Sequence, residues 1–102
     1  MADVALTETA PGRYSATGPL TFATARLARE AGLAAFGAAG SQPIEVDCSG
    51  ITSTDSAGMT VLLDWLSVAR RSGRSLKFGG LPEQLRAIAR ISDALELLEQ
   101  GV

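Results

Sequence analysis

Apolar and polar positions alternate along this chain with two different periods, and these periods predict the order of its strands and helices. A period of two marks a strand at residues 44–48, and a looser alternation marks one at residues 3–8. Further strands are predicted at residues 13–17, after the turn at Pro11 and Gly12, and at residues 75–78. Helical spacing marks four helices, at residues 21–36, at residues 57–72, from Pro82 onward, and after Ser92 and Asp93, which can cap a helix. The predicted order is strand, strand, helix, strand, helix, strand, helix, helix.

The apolar faces of the predicted helices indicate how deeply each helix is buried. The helix at residues 57–72 is apolar except along one stripe, which is formed by Thr60, Asp64, Ser67 and Arg71. Gly73 can close that helix. In the helix at residues 21–36, which residues 37–40 should end, the apolar positions are Phe22, Ala25, Ala28, Leu33 and Phe36. In the helix after Pro82 they are Leu85, Ile88, Ala89 and Ile91.

The strand-helix-strand unit in the middle of the chain decides the predicted fold class. Two strands joined through a helix pair in parallel, with a right-handed crossover. The sequence therefore predicts an α/β fold with a mixed β-sheet of about four to five strands and helices packed against it. Because 102 residues supply enough apolar area for only one core, we expect one domain over residues 1–102.

The net charge of the chain and its single cysteine limit which partners and which cellular compartment are expected. Nine Lys and Arg residues against eleven Asp and Glu residues give a net charge of −2, so the chain lacks the basic surface that a nucleic acid backbone requires. Cys48 is the only cysteine and lies in an alternating strand, which favours a buried thiol in a reducing compartment. With no signal-peptide pattern and no long apolar run, we expect a soluble cytoplasmic protein.

The residue types needed for most catalytic and metal sites are missing from the sequence. There is no histidine, and the single cysteine offers no zinc-binding pair. The glycines at Gly79 and Gly80 precede Leu81 and Pro82 rather than the Lys-Ser/Thr of a phosphate-binding loop. Asp55 beside Ser56 could suggest an activated hydroxyl, but no base accompanies them. We therefore expect no enzyme activity, no metal and no cofactor.

One run of small, mostly polar residues is not accounted for by these exclusions. It lies between a strand and the most buried helix and consists of Thr52, Ser53, Thr54, Asp55, Ser56, Ala57 and Gly58. One Ser, Thr or Asp is enough to cap a helix, whereas five in succession exceed that need. Small residues allow another backbone to approach, and a helix N-terminus attracts anions. From the residues alone, a partner-binding loop and a simple cap remain equally good interpretations.

The same run carries a resemblance to a known family. The segment Val46-Asp47-Cys48-Ser49-Gly50-Ile51, then Asp55-Ser56-Ala57-Gly58-Met59 and the apolar helix with Leu62-Leu63, resemble the STAS family of anti-sigma factor antagonists. The resemblance implies that Ser56 is the phosphorylation or partner-contact position. Antagonists often carry a second small polar residue after that serine, whereas this chain has Ala57.

Further segments resemble one branch of that family, the MlaB-type STAS subunits of proteobacterial phospholipid ABC transporters. These segments are Gly18-Pro19-Leu20-Thr21-Phe22, Gly73-Arg74-Ser75-Leu76-Lys77-Phe78 and Gly80-Leu81-Pro82. The resemblance implies a subunit that binds the transporter ATPase and reaches the inner membrane only through it, in a system that maintains outer-membrane lipid asymmetry. Two alternatives stay open: an anti-sigma factor antagonist that binds a serine kinase and is phosphorylated at Ser56, and a carrier of a lipid or small ligand.

Overall fold

A computed structural model describes residues 3–38 and 42–102 of the chain. The strands are β1 (Ala5–Ala10), β2 (Arg13–Leu20), β3 (Ile44–Thr54) and β4 (Leu76–Gly79). The helices are α1 (Ala25–Phe36), α2 (Ser56–Arg71), α3 (Glu83–Ile91) and α4 (Leu95–Gln100). None of the helices in these ranges combines the length and the apolar composition that a membrane-spanning segment needs. The element order and the α/β class predicted from the sequence are confirmed.

The four strands form one mixed sheet in the order β1-β2-β3-β4. β1 pairs antiparallel with β2, whereas β2 with β3 and β3 with β4 are parallel pairs joined through helices. Along β3 the inward residues Ile44, Val46 and Cys48 are buried and the residues between them, Glu45 and Asp47, are exposed. The helices therefore cover one face of the sheet, and the polar face stays open to solvent.

Both central strands are longer than the sequence predicts. β2 continues past Thr17 through Pro19 to Leu20, and β3 continues past Cys48 to Thr54. The pairing of the two strands slips by one residue between Gly18 and Pro19, opposite Ile51 and Ser53. A bulge is one of the few places where a strand tolerates proline, because the missing N–H interrupts no regular ladder there.

The two longest helices pack closely because α1 offers small residues at the contact. Ala28, Gly32 and Phe36, each four residues apart, are its buried positions. The indole Nε1–H of Trp65 in α2 donates to the Ala28 carbonyl at 3.0 Å, and a Cβ at position 32 would collide with the same indole ring. Close packing of this kind lets the ring of Phe36 meet Trp65 edge to face, with ring centroids 5.7 Å apart.

Three of the predicted apolar positions do not face the core. Phe22 lies before α1 and is 84% exposed, Leu33 is 59% exposed, and Ile91 at the end of α3 is 87% exposed. The prediction for α1 is confirmed at Ala28 and Phe36, which are buried, and is wrong at Leu33 and at Phe22, which precedes the helix. The predicted polar stripe on α2 is confirmed, since Thr60, Ser67 and Arg71 are exposed and Asp64 is partly so.

The helix ends confirm two predictions and correct a third. Gly73, with φ 74°, closes α2, and the N–H of Arg74 donates to the Ala69 carbonyl at 2.9 Å, which is the Schellman arrangement. Ser92 and Asp93 do not cap α4, whose N-cap is Ala94. They end α3 instead, with Asp93 at φ 57° in the place that glycine usually takes. The predicted end of α1 is confirmed at Gly37, whereas residues 39–40 lie outside the described residues.

Candidate functional site

The small polar residues 52–58 form a corner between β3 and α2, which we call the β3–α2 corner. The sequence predicted a loop here, and the structure corrects this: β3 ends at Thr54, α2 begins at Ser56, and Asp55 is the only residue between them. So short a connection leaves the backbone little freedom. The residues of the corner are consequently held by regular secondary structure on both sides.

Asp55 fixes the corner through both of its carboxylate oxygens. Oδ1 accepts the backbone N–H of Gly58 at 3.0 Å, which caps α2, and Oδ2 accepts the backbone N–H of Phe22 at 3.0 Å. The N–H of Phe22, then that of Gly58, hold the pKa of this carboxyl below its ordinary value. Asp55 is therefore an ionised structural link between the start of α2 and the segment that precedes α1.

Two of the predicted partner-binding residues are buried within the corner. Thr54 is only 5% exposed, and its N–H donates to Oε1 of Gln84 at 3.4 Å. Gly58 is buried, and a Cβ there would collide with the Leu20 carbonyl and the Thr54 hydroxyl. These residues support the corner because the end of β2 passes directly over the first turn of α2.

The remaining residues form the outer surface of the corner. Thr52, Ser53 and Ser56 are exposed, and Ala57 is half-buried. Thr52 lies at the slip in the β2–β3 pairing, between Ile51 and Ser53, which explains why two successive residues of a strand face outward. Thr60, one turn after Ser56 and also exposed, donates its hydroxyl to the Ser56 carbonyl at 3.0 Å. The corner thus presents short side chains on a fixed backbone.

Phe22 is the site residue that sequence reasoning misplaced. It belongs to a turn in which the Thr24 hydroxyl donates to the Pro19 carbonyl at 2.7 Å and accepts the Thr21 N–H at 3.0 Å. A helix start assigned at Thr24 rather than at Thr21 would have placed Phe22 outside the helix. Its backbone adjoins the β3–α2 corner because its N–H donates to Asp55, and its ring is exposed.

Cys48 is unsuited to surface chemistry. Cys48 lies in β3, and its side chain is fully buried in the core. This burial, followed by the nearby charge of Asp47, raises the pKa of the thiol to about 12. The prediction of a buried core thiol is confirmed. The chemically distinctive surface near this part of the sheet is therefore the corner itself.

Comparison with known proteins places this fold and corner in a family. The profile of the family described as "Mlab, STAS domain" matches residues 7–99, which include the whole corner. The chain belongs to the STAS family. No sequence among curated proteins matches this STAS domain.

Solved structures of transport proteins are similar to this STAS domain. A sulfate transporter family protein from Wolinella succinogenes superposes with a TM-score of 0.64 and 18% identity, over 86% of this chain and 70% of that chain. The murine solute carrier 26 family member A9 anion transporter, in its inward-facing state, superposes with a TM-score of 0.61 and 19% identity, over 93% of this chain and 18% of that chain. At these identities the likeness extends to the fold alone.

Proposed function

We propose that this STAS domain is a non-enzymatic accessory subunit that binds the ATPase subunit of a phospholipid-transporting ABC system, one that maintains outer-membrane lipid asymmetry. Its working surface is the β3–α2 corner, and it reaches the cytoplasmic side of the inner membrane through its partner. The match to the Mlab description over residues 7–99 supports the class of partner.

The observation that carries the proposal is that short exposed side chains lie on a backbone that hydrogen bonds hold in place. Thr52, Ser53 and Ser56 project little, so a partner backbone can approach the start of α2. Asp55 and Gly58 hold that surface in place, so binding orders few groups and loses little conformational entropy. Such a surface suits docking of a protein better than enclosure of a small molecule.

The second candidate is an anti-sigma factor antagonist that binds a serine kinase and is switched by phosphorylation at Ser56. The observation in its favour is that Ser56 is exposed at the first position of α2, where backbone N–H groups and the helix dipole favour an anion. A phosphoryl group there adds about −1.5 to −2 charges beside the ionised Asp55 and adds bulk to the docking surface. Its expected effect is release of the partner.

Co-purification from the native host distinguishes the two candidates. A tagged wild-type chain should bring down an ABC ATPase, and Thr52→Arg or Ser56→Arg should abolish that association. Mass spectrometry of the purified chain identifies any phosphate on Ser56. Recovery of a serine kinase together with phospho-Ser56, and without an ATPase, would replace the transporter proposal with the antagonist.

A further inference from the structure

A cleft of about 550 Å³ lies between α1 and α2, and Phe22 forms part of its lining. Its apolar lining comes from Phe22, Ala25, Leu33 and Val68, and its charged lining from Arg26, Arg29, Glu30, Asp64 and Arg71. Residues 25–33 of α1 rise by ~12 Å, which is room for about two turns of a second helix. The length of the cleft therefore suits a short docked helix.

Two large apolar side chains in this cleft are exposed, and the backbone of one is anchored by a hydrogen bond. Phe22 is 84% exposed although its backbone is fixed by Asp55, and Leu33 is 59% exposed. Aromatic residues are the usual anchors of protein interfaces. The hydrogen bond from the Phe22 N–H to Asp55 also links the backbone at one end of the cleft to the β3–α2 corner.

The chemistry of the cleft walls favours a helix over an extended peptide. Both walls are helices whose interior backbone N–H and C=O groups are already paired, so an extended segment would find no ladder partners there. A helix satisfies its own backbone and can insert apolar side chains between Phe22 and Leu33. The sheet edges, which could accept a strand, lie elsewhere.

The charges around the cleft favour an acidic partner. Three arginines face two carboxylates: Arg29 pairs with Asp64 at 3.7 Å and Arg26 with Glu30 at 3.3 Å. Arg71 has no ion pair with any residue in the described ranges. An Asp or Glu on the polar side of the incoming helix would form an ion pair with Arg71.

We propose that the α1–α2 cleft docks an amphipathic helix of the partner protein, with apolar residues against Phe22 and Leu33 and an acidic residue at Arg71. The inference rests on the proposed function, since the helix is assigned to the same ATPase that contacts the corner. Docking in the cleft would extend the corner's small contact area into an interface with hydrophobic anchors.

Binding of the purified ATPase to surface variants tests the inference. Phe22→Ser, Leu33→Ser and Arg71→Glu should each raise the Kd by about tenfold or more. The matched controls lie on α3 and α4, outside the cleft: Ile91→Ser, Leu97→Ser and Arg90→Glu should bind as the wild type does. Unchanged urea unfolding, followed by fluorescence of the buried Trp65, would show that each variant folds.

The binding results distinguish docking in the cleft from docking at the β3–α2 corner. Wild-type affinity in all three cleft variants, with binding lost in Ser56→Arg, would overturn the cleft and keep the proposed function. Wild-type affinity in the cleft variants and in Ser56→Arg would overturn both. Failure of the wild-type chain to bind any ATPase would also overturn both, because the helix is assigned to that partner.

Photo-crosslinking identifies the occupant directly. A benzoyl-phenylalanine at position 33 in the native host should give an adduct on an amphipathic, acidic helix of the ATPase. The same residue at position 7, on exposed β1, should not. An adduct on a lipid or on a second copy of the chain would contradict the proposal.

Discussion

The carboxylate of Asp55 accepts the backbone N–H of Phe22 at 3.0 Å, across 33 residues of sequence. The same side chain caps α2 through the N–H of Gly58. One residue therefore fixes both the start of the most buried helix and the turn that displays an exposed aromatic ring.

Removing the Asp55 carboxylate should destabilise the protein measurably. Asp55→Ala removes the cap of α2 and the bond to Phe22, and loss of a cap alone costs about 1–2 kcal/mol. Asp55→Asn keeps one carbonyl oxygen and should fall between alanine and the wild type. Urea unfolding followed by Trp65 fluorescence gives the free energies. Asp93→Asn, on the surface at a position that suits asparagine, should stay within about 0.5 kcal/mol of the wild type.

The same carboxylate predicts how stability depends on pH. Folding lowers the pKa of Asp55 from the ordinary value of 3.8, so its stabilising contribution is complete above that pH and is lost as the pH falls towards the folded pKa. The difference in unfolding free energy between the wild type and Asp55→Asn should be constant from about pH 7 to pH 5. Below pH 3.8 it should shrink. A difference that grows on acidification would refute this role.

Substitution of Gly58 should reverse the usual effect of alanine in a helix. Gly→Ala in a helix interior ordinarily gains about 1 kcal/mol. At position 58, however, the new methyl group meets the Leu20 carbonyl and the Thr54 hydroxyl, so we expect a loss of about 1–3 kcal/mol. Gly79→Ala is the control, because a Cβ there meets nothing within 4 Å and should be tolerated. Equal unfolding midpoints for the two variants would contradict the close approach of β2.

Cys48 should resist thiol reagents until the protein unfolds. Its burial and its pKa of about 12 leave almost no accessible thiolate near pH 8. Ellman's reagent should label the native protein slowly and the denatured protein at once. In a Cys48→Ser background, Ser67→Cys provides an exposed thiol on α2 that should react rapidly. Rapid labelling of native Cys48 would show that the sheet opens readily.

The sequence predicted those features that depend on strongly periodic segments. Alternation from Ile44 to Cys48 and the single polar stripe of α2 marked the strand and the helix on either side of the corner, and together with the other predicted segments they indicated the class and the element order. What escaped prediction depends on tertiary contacts. No local pattern shows that β3 continues through the polar residues 52–54, because those residues are ordered by pairing with β2.

The errors in the predicted apolar face of α1 concern Phe22 and Leu33. Ala28, Gly32 and Phe36 form the face that packs on α2, and Gly32 lies against the indole of Trp65, a contact that no local pattern shows. Phe22 precedes the helix and Leu33 lies on its exposed side, and both line the cleft. The third misassigned residue, Ile91, lies outside the cleft.

The affinity of Ser56→Arg for the purified ATPase tests the central claim most directly. Ser56 is exposed, so the variant should fold normally, and an arginine at the start of α2 should block approach of the partner and raise the Kd by about a hundredfold. Ser92→Arg places the same side chain on an exposed site at the end of α3 and should bind as the wild type does. Equal affinity of wild type, Ser56→Arg and Ser92→Arg would contradict docking through the β3–α2 corner.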